Sequence, residues 1–332
     1  MTPPTGGARI PGAPPPTRKE PRHEESRRAR RPGLCRPGSR RPPPGPATRD
    51  GEVPALVRQL GDRSFRKRED TGRRLAALGE AALPALRRAA DTSTDPEVRR
   101  RAGALVREVE SRGVVGLLDR DIAAHGGADR LGAYGARVER WKGSHPGKSV
   151  RFSSMTSVQL PDKWRHQLGS DVTGRAAVFV VNGDRGWLIK RGRAEDLAGD
   201  DLTTCRERLH AEHCLPQLVS LKGSEYTLTL LGEAEVGGRP AVGMRVSRKS
   251  YGDVSLIFDK QRWLLLKMAR QVKVAQAGPF TAETLYDDYR AVNGIQVAHR
   301  RTVRRDGRPV TVYHLTEVKF HERLDARLFA RP

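Results

Sequence analysis

From Tyr134 to Pro332 the chain breaks into short alternating apolar and polar runs joined by tight turns, and this fixes what it can fold into. Asn182-Gly183, Gly237-Gly238, Asn293-Gly294 and Asp306-Gly307 each sit between such runs. These pairs tolerate the positive φ of two-residue hairpin turns, so each marks a hairpin between antiparallel strands. Twelve strands are expected: 134–142, 148–159, 163–169, 175–181, 186–191, 225–232, 240–247, 252–259, 262–273, 281–291, 295–305 and 308–319. One interruption, 194–221, carries Leu197, Leu202, Leu209, Leu215, Leu218 and Leu221 at helix-like intervals, with Pro216 as a kink. The fold class is α+β.

Three stretches are apolar on both faces: Ala176-Ala177-Val178-Phe179-Val180-Val181, Val254-Ser255-Leu256-Ile257-Phe258 and Trp263-Leu264-Leu265-Leu266. A sheet with one wet face should alternate, so something must cover these strands on both sides: a helix on one, a second sheet or a ligand on the other. The later strands, Tyr289 to Arg301 and Val310 to Phe320, interleave charged and apolar residues and keep a wet face. A curved sheet with a buried middle fits both patterns.

The chain before the strands divides in two. Residues 1–50 are rich in Pro, Gly and Arg, with two proline triplets, and hold too few apolar side chains to offset ordering entropy; they are expected to be a disordered tail. Residues 51–112 place Val53, Leu56, Val57 and Leu60 on one helical face, followed by Leu75, Leu78, Leu83, Leu86, Val98, Leu105 and Val109, with Gly61, Gly79 and Asp95-Pro96 as punctuation. This is a short array of antiparallel helices. A further helix is expected over 114–133, with Val115, Leu118, Ile122 and Leu131 apolar.

The 332 residues carry a net charge of +23, divided as +8 over 1–50, +4 over 51–112 and +11 over 113–332. Such a balance raises nucleic acid or an anionic surface as partners. No nucleic-acid motif accompanies it, which disfavours nucleic acid. Arg300, Arg301, Arg304, Arg305 and Arg308 bracket the Asp306-Gly307 turn and are the candidates for contact with an anionic surface; they also discourage edge-to-edge aggregation. No run of about 18 apolar residues offers a membrane span. The opening residues lack the apolar stretch of a secretory signal, so the chain as written reads as unexported. Cys35, Cys205 and Cys214 cannot all pair, and Cys205 and Cys214 stand too far apart on one helix for a disulfide.

No catalytic constellation is expected. His210-Ala-Glu212-His213-Cys214 lacks the spacing of a zinc helix and reads as exposed polar positions on an amphipathic helix. Asp287 and Asp288 are neighbours on a strand and point to opposite faces. No nucleophile elbow or phosphate-binding loop is present. Neither a metal nor a cofactor is called for.

Two family resemblances extend this reading. The stretch from Gly79 to Val106, with Asp95-Pro96-Glu97-Val98-Arg99 at a helix start, resembles a HEAT repeat, which implies protein contact. Residues 113–332 resemble the LolA-like carriers that sort outer-membrane lipoproteins: a lead helix ending His125-Gly126-Gly127-Ala128, then strands with Val181-Asn182-Gly183-Asp184-Arg185-Gly186-Trp187, a helical insert, more strands and a terminal Leu328-Phe329-Ala330. The resemblance implies an incomplete antiparallel barrel whose concave apolar face, covered by helices 114–133 and 194–221, accepts lipid, an acyl chain or a lipidated polypeptide. It also implies a periplasmic or cell-envelope location. Candidate lining residues are Trp164, Phe179, Trp187, Phe258, Trp263, Leu265 and Met268. The expected function is non-catalytic binding; the alternatives are a scaffold with a filled core and a basic nucleic-acid-associated protein.

Overall fold

The computed structural model describes residues 52–148, 151–170, 176–274 and 278–332, and the tail expected over 1–50 lies outside them. Four helices come first: α1 (Glu52–Gln59), α2 (Phe65–Leu78), α3 (Leu83–Thr92) and α4 (Pro96–His125). Asp95 caps α4, its Oδ1 accepting from Glu97 N at 2.8 Å, while Pro96 fills a first-turn position that has no need of an amide. Leu56, Leu60, Leu75, Leu86, Val98 and Ala102 close a small core between these helices.

The boundary expected at 112/113 falls inside α4, which runs 30 residues without a break. Its first half faces α1–α3 through Val98, Ala102 and Leu105, and its second faces the sheet through Val114, Leu117, Leu118 and Ile122. Val115, expected on the apolar face, is exposed, and Val114 is buried instead. The helix ends at Gly126-Gly127, both at positive φ, and α5 (Ala128–Ala133) follows.

Thirteen strands are seen among the described residues: β1 (Ala136–Ser144), β2 (Arg151–Gln159), β3 (Lys163–Ser170), β4 (Ala176–Asn182), β5 (Arg185–Lys190), β6 (Arg193–Asp196), β7 (Tyr226–Val236), β8 (Arg239–Arg248), β9 (Val254–Asp259), β10 (Leu265–Val274), β11 (Gly278–Val292), β12 (Ile295–Arg305) and β13 (Arg308–His321). Twelve were expected; β6 occupies the start of the stretch assigned to the insert. Gly237-Gly238, Asn293-Gly294 and Asp306-Gly307 all adopt positive φ, as does the unanticipated Arg191-Gly192. Left-handed residues at both central positions match the right-handed twist of the strands they join.

The sheet runs β6-β5-β4-β3-β2-β1-β13-β12-β11-β10-β9-β8-β7, and its described ladders are antiparallel. Two meanders are thus joined through β1 and β13, and the outer strands β6 and β7 do not pair. The sheet is open, curved and unclosed. The chain must travel from one free edge to the other, and it does so through the insert: α6 (Gly199–Leu209), a π turn (His210–Cys214) and 3₁₀ turns to Lys222.

The doubly apolar stretches are covered by the chain itself, Leu265 packing in the core beneath α4 and Leu266 in the cluster on the far face. In β4, Val181 and Phe179 pack with Trp164 beneath Leu209 and Cys214 of the insert. Val178 and Val180 point the other way and pack with Trp187, Leu324 and Phe329, the last two from the C-terminal segment. Along β9, Leu256 and Phe258 lie beneath α4, and Ile257 packs with Ala241 and Leu266 on the far face.

Candidate functional site

Pro216 lacks an amide and its ring crowds the carbonyl four residues earlier, so the α-helix of the insert cannot continue through it. The chain answers with the π turn, and Glu212 and His213 are carried toward the concave face. Contrary to the expectation of exposed polar positions, His210, His213 and Cys214 are buried. His210 stacks on Tyr251 at 4.2 Å between centroids and hydrogen-bonds Tyr226 Oη at 3.2 Å, whereas His213 turns to Arg137. The two histidines have separate partners, and among the described residues no group of three or more His, Cys, Asp or Glu side chains could hold a metal ion.

Strand periodicity puts Arg137, Glu139 and Trp141 of β1 on one face, beneath the insert. Glu139 is buried, accepting from Arg137 Nε at 2.7 Å and from Trp141 Nε1 at 3.1 Å, with Arg301 at 3.7 Å. Burial opposes its ionisation, but Arg301 and Arg137 overcome this and hold the carboxyl far below the usual range. Arg137 Nη2 donates to His213 Nδ1 at 3.0 Å. Burial, aided by Arg137, pushes His213 down to about 3, so the ring is neutral and can accept. Glu212 is likewise held at about 2: burial works against the charge, and Arg208, donating at 3.1 Å, outweighs it. His166 is bonded to Thr156 at 2.9 Å and lowered to about 3, again chiefly by burial.

Glu139, Trp141, Thr156, His166, Arg208, Glu212, His213 and Arg301 line a cavity of about 290 Å³ between the insert and the concave face. Its charged lining comprises Glu139, Glu212, Arg208, Arg270 and Arg301, and its apolar walls include Trp141, Val272, Phe280 and Val303. A smaller cavity of about 80 Å³ shares Glu139, Glu212, His213, Tyr286 and Arg301 with it and continues among Leu265, Ile295, Val318 and Phe320. The hollows thus set the buried charges of the concave face among apolar walls, while most of the apolar face beneath α4 is filled.

The seven aromatic and aliphatic candidates do not converge. Phe258, Leu265 and Met268 are buried in the core beneath α4, with Trp263 against its margin under Arg120; of the seven, Leu265 alone lines either cavity. Trp164 and Phe179 are sandwiched between sheet and insert, with the Arg208 guanidinium 5.5 Å from the Trp164 ring. Trp187 pairs with Val180 and belongs to the opposite, convex face. The arginine candidates divide as well. Arg300 and Arg308 are exposed at the hairpin, and Arg305 is partly exposed, stacked over Phe280 at 4.0 Å. Arg304 Nε is buried without a partner. Arg301 points into the cavity, 4.3 Å over the Trp141 ring, because it sits opposite Tyr286 on the concave face.

Sequence reasoning missed Arg137, Glu139, Trp141, His166, Arg208 and Arg270, and read Glu212 as an exposed polar position. The only available signal was the i, i+2 spacing of Arg137, Glu139 and Trp141, which gives a shared face but not the side it turns to.

No family model and no curated protein matches the chain. Among solved structures it is similar to a LolA superfamily protein from Nitrosomonas europaea, at 12% identity over 66% of this chain and 97% of that one, TM-score 0.43. A DUF1329 family protein from Desulfovibrio piger matches at 15% identity over 65% and 97%, TM-score 0.44. The Mycobacterium tuberculosis lipoprotein LppX matches at 12% identity over 64% and 98%, TM-score 0.28. Each likeness is to the fold alone. The open antiparallel sheet has its free edges bridged by a helical insert on the concave face.

Proposed function

We propose that the chain is a binding protein that holds an amphiphilic or lipid-like ligand, free or attached to a polypeptide, in the cavity beneath the insert, without chemical change. The observation that carries this reading is the 290 Å³ cavity on the concave face of an open sheet, covered by a segment tethered to both free edges. The insert contributes no described strand to the sheet and is held on it by side-chain packing of Leu209, Leu215, Leu218 and Leu221. The cavity's titratable groups suit binding better than catalysis. Glu139 and Glu212 are ionised and paired, and the two lining histidines, lowered to about 3, are weak bases at neutral pH. Helices α1–α4 supply a surface for protein contact, and a cell-envelope location accords with the lipid-carrier use of this fold. No helix among the described residues is long and apolar enough to cross a membrane. The filled core beneath α4 favours a second reading for that half of the sheet, as a scaffold with no ligand.

Native mass spectrometry of the full chain after incubation with a mixed lipid extract tests the proposal, with Ala282→Trp, which fills the cavity, alongside. An adduct on the wild type that is lost in the variant is expected. An adduct of equal occupancy on both, or none on the wild type, contradicts the reading.

A further inference from the structure

The cavity and its ion pairs hold more positive than negative charge. Arg137, Arg208, Arg270 and Arg301 stand against Glu139, Glu207 and Glu212: four guanidiniums and three carboxylates. Glu139 and Glu212 accept hydrogen bonds from Arg137, Trp141 and Arg208. Arg270 is left with Glu207 at 3.8 Å and Arg301 with Glu139 at 3.7 Å, contacts beyond hydrogen-bonding distance. Two polar atoms of cavity-lining residues, Arg301 Nε and Ser154 Oγ, are buried with no hydrogen-bond partner among the described residues. Ser154 is 6% exposed, so its hydroxyl has lost water and gained nothing. The arrangement has one cation over and unspent donors around a hollow, which is what a single bound anion completes.

Resting on the reading that this cavity binds a ligand, we propose that Arg270, Arg301 and Ser154 hold the anionic headgroup, carboxylate or phosphate, of an amphiphile whose apolar part lies against Phe280, Val272 and Val303. The headgroup makes the selective contacts, and the walls contribute burial.

Calorimetric titration of the full chain with decanoate, decanol and inorganic phosphate separates the possibilities. Decanoate is expected to bind at least about tenfold tighter than decanol or phosphate, a preference of about 1.4 kcal/mol. Arg270→Gln and Arg301→Gln should each remove most of that preference and leave decanol affinity within about twofold. Should Arg301→Gln fail to fold, Arg270→Gln, whose one ion pair among the described residues is the long one to Glu207, still decides the matter. Equal affinity for decanoate and decanol overturns the headgroup assignment while leaving the binding function standing. Phosphate bound as tightly as decanoate overturns the amphiphile. Neither decanoate nor decanol bound removes the binding function itself.

Discussion

Asp121 offers a perturbation whose size can be worked from the structure. It lies on α4 among residues packed on the sheet, is 0% exposed, and neither carboxylate oxygen has a hydrogen-bond partner among the described residues. Burial raises its carboxyl from 3.8 to about 8, only partly opposed by Arg120. The native state therefore keeps a proton that the unfolded chain gives up near pH 4. By linkage, stability falls as pH rises from about 4 to about 8 and is flat beyond, with a slope of about 1.4 kcal/mol per pH unit. The ceiling is on the order of 5 kcal/mol, and water penetration on local opening will lower it. Asp121→Asn mimics the protonated acid, so it should match the wild type near pH 4 and exceed it by a margin that widens to about 2–5 kcal/mol at pH 8. His125, His166, His210 and His213, all lowered by burial to about 3–4, act with the opposite sign: their contribution is present above pH 6.5 and is lost as pH falls. Urea unfolding of both proteins at each pH cancels that common background. Parallel stability profiles across pH 4–8 refute the reasoning.

Three further outcomes follow from the packing. Trp187→Ala empties the convex cluster around Val180 and Phe329 and should cost about 3–5 kcal/mol in chemical denaturation while leaving decanoate affinity unchanged; a change in affinity without loss of stability contradicts its placement. Glu139→Gln strands Arg137 and Arg301 and should cost about 3–5 kcal/mol at neutral pH. Because the folded pKa of Glu139 is depressed, that contribution is present above about pH 4.5 and is lost progressively as pH falls from there toward the far lower folded value, so the gap between variant and wild type should narrow steadily in acid. Gly126→Ala, at φ 128°, would bring its Cβ to 2.6 Å from Gly294 O and should lower the thermal midpoint by several degrees; an unchanged midpoint shows that the α4 terminus does not dock on the β11–β12 turn.

Much of the scaffold was legible because its causes are local. A Gly-Gly or Asn-Gly pair states its own φ requirement, and Asp95-Pro96 is a cap and first turn wherever it packs. The doubly apolar β4 and β9 correctly required cover on both faces. The expected 112/113 boundary divided α4, which carries Gly113 and Gly116 in its interior; a glycine costs a helix only about 1 kcal/mol, and packing on both halves outweighs it. The site was illegible for a different reason. Strand alternation says which residues share a face, but Trp187 could be assigned to the convex side only once its pairing with Val180 was known. Glu139, Glu212 and Arg301 come from three elements far apart in sequence. His213 read as exposed because its cover comes from Arg137, 76 residues away.

The central claim is that the hollow beneath the insert is where this molecule holds its ligand. A crystal structure of the full chain grown with decanoate tests it most directly. The account predicts ligand density inside the cavity, with the carboxylate within hydrogen-bonding distance of Arg270 or Arg301. Density on the convex face, or a cavity closed by its own side chains with no ligand at saturating decanoate, contradicts it.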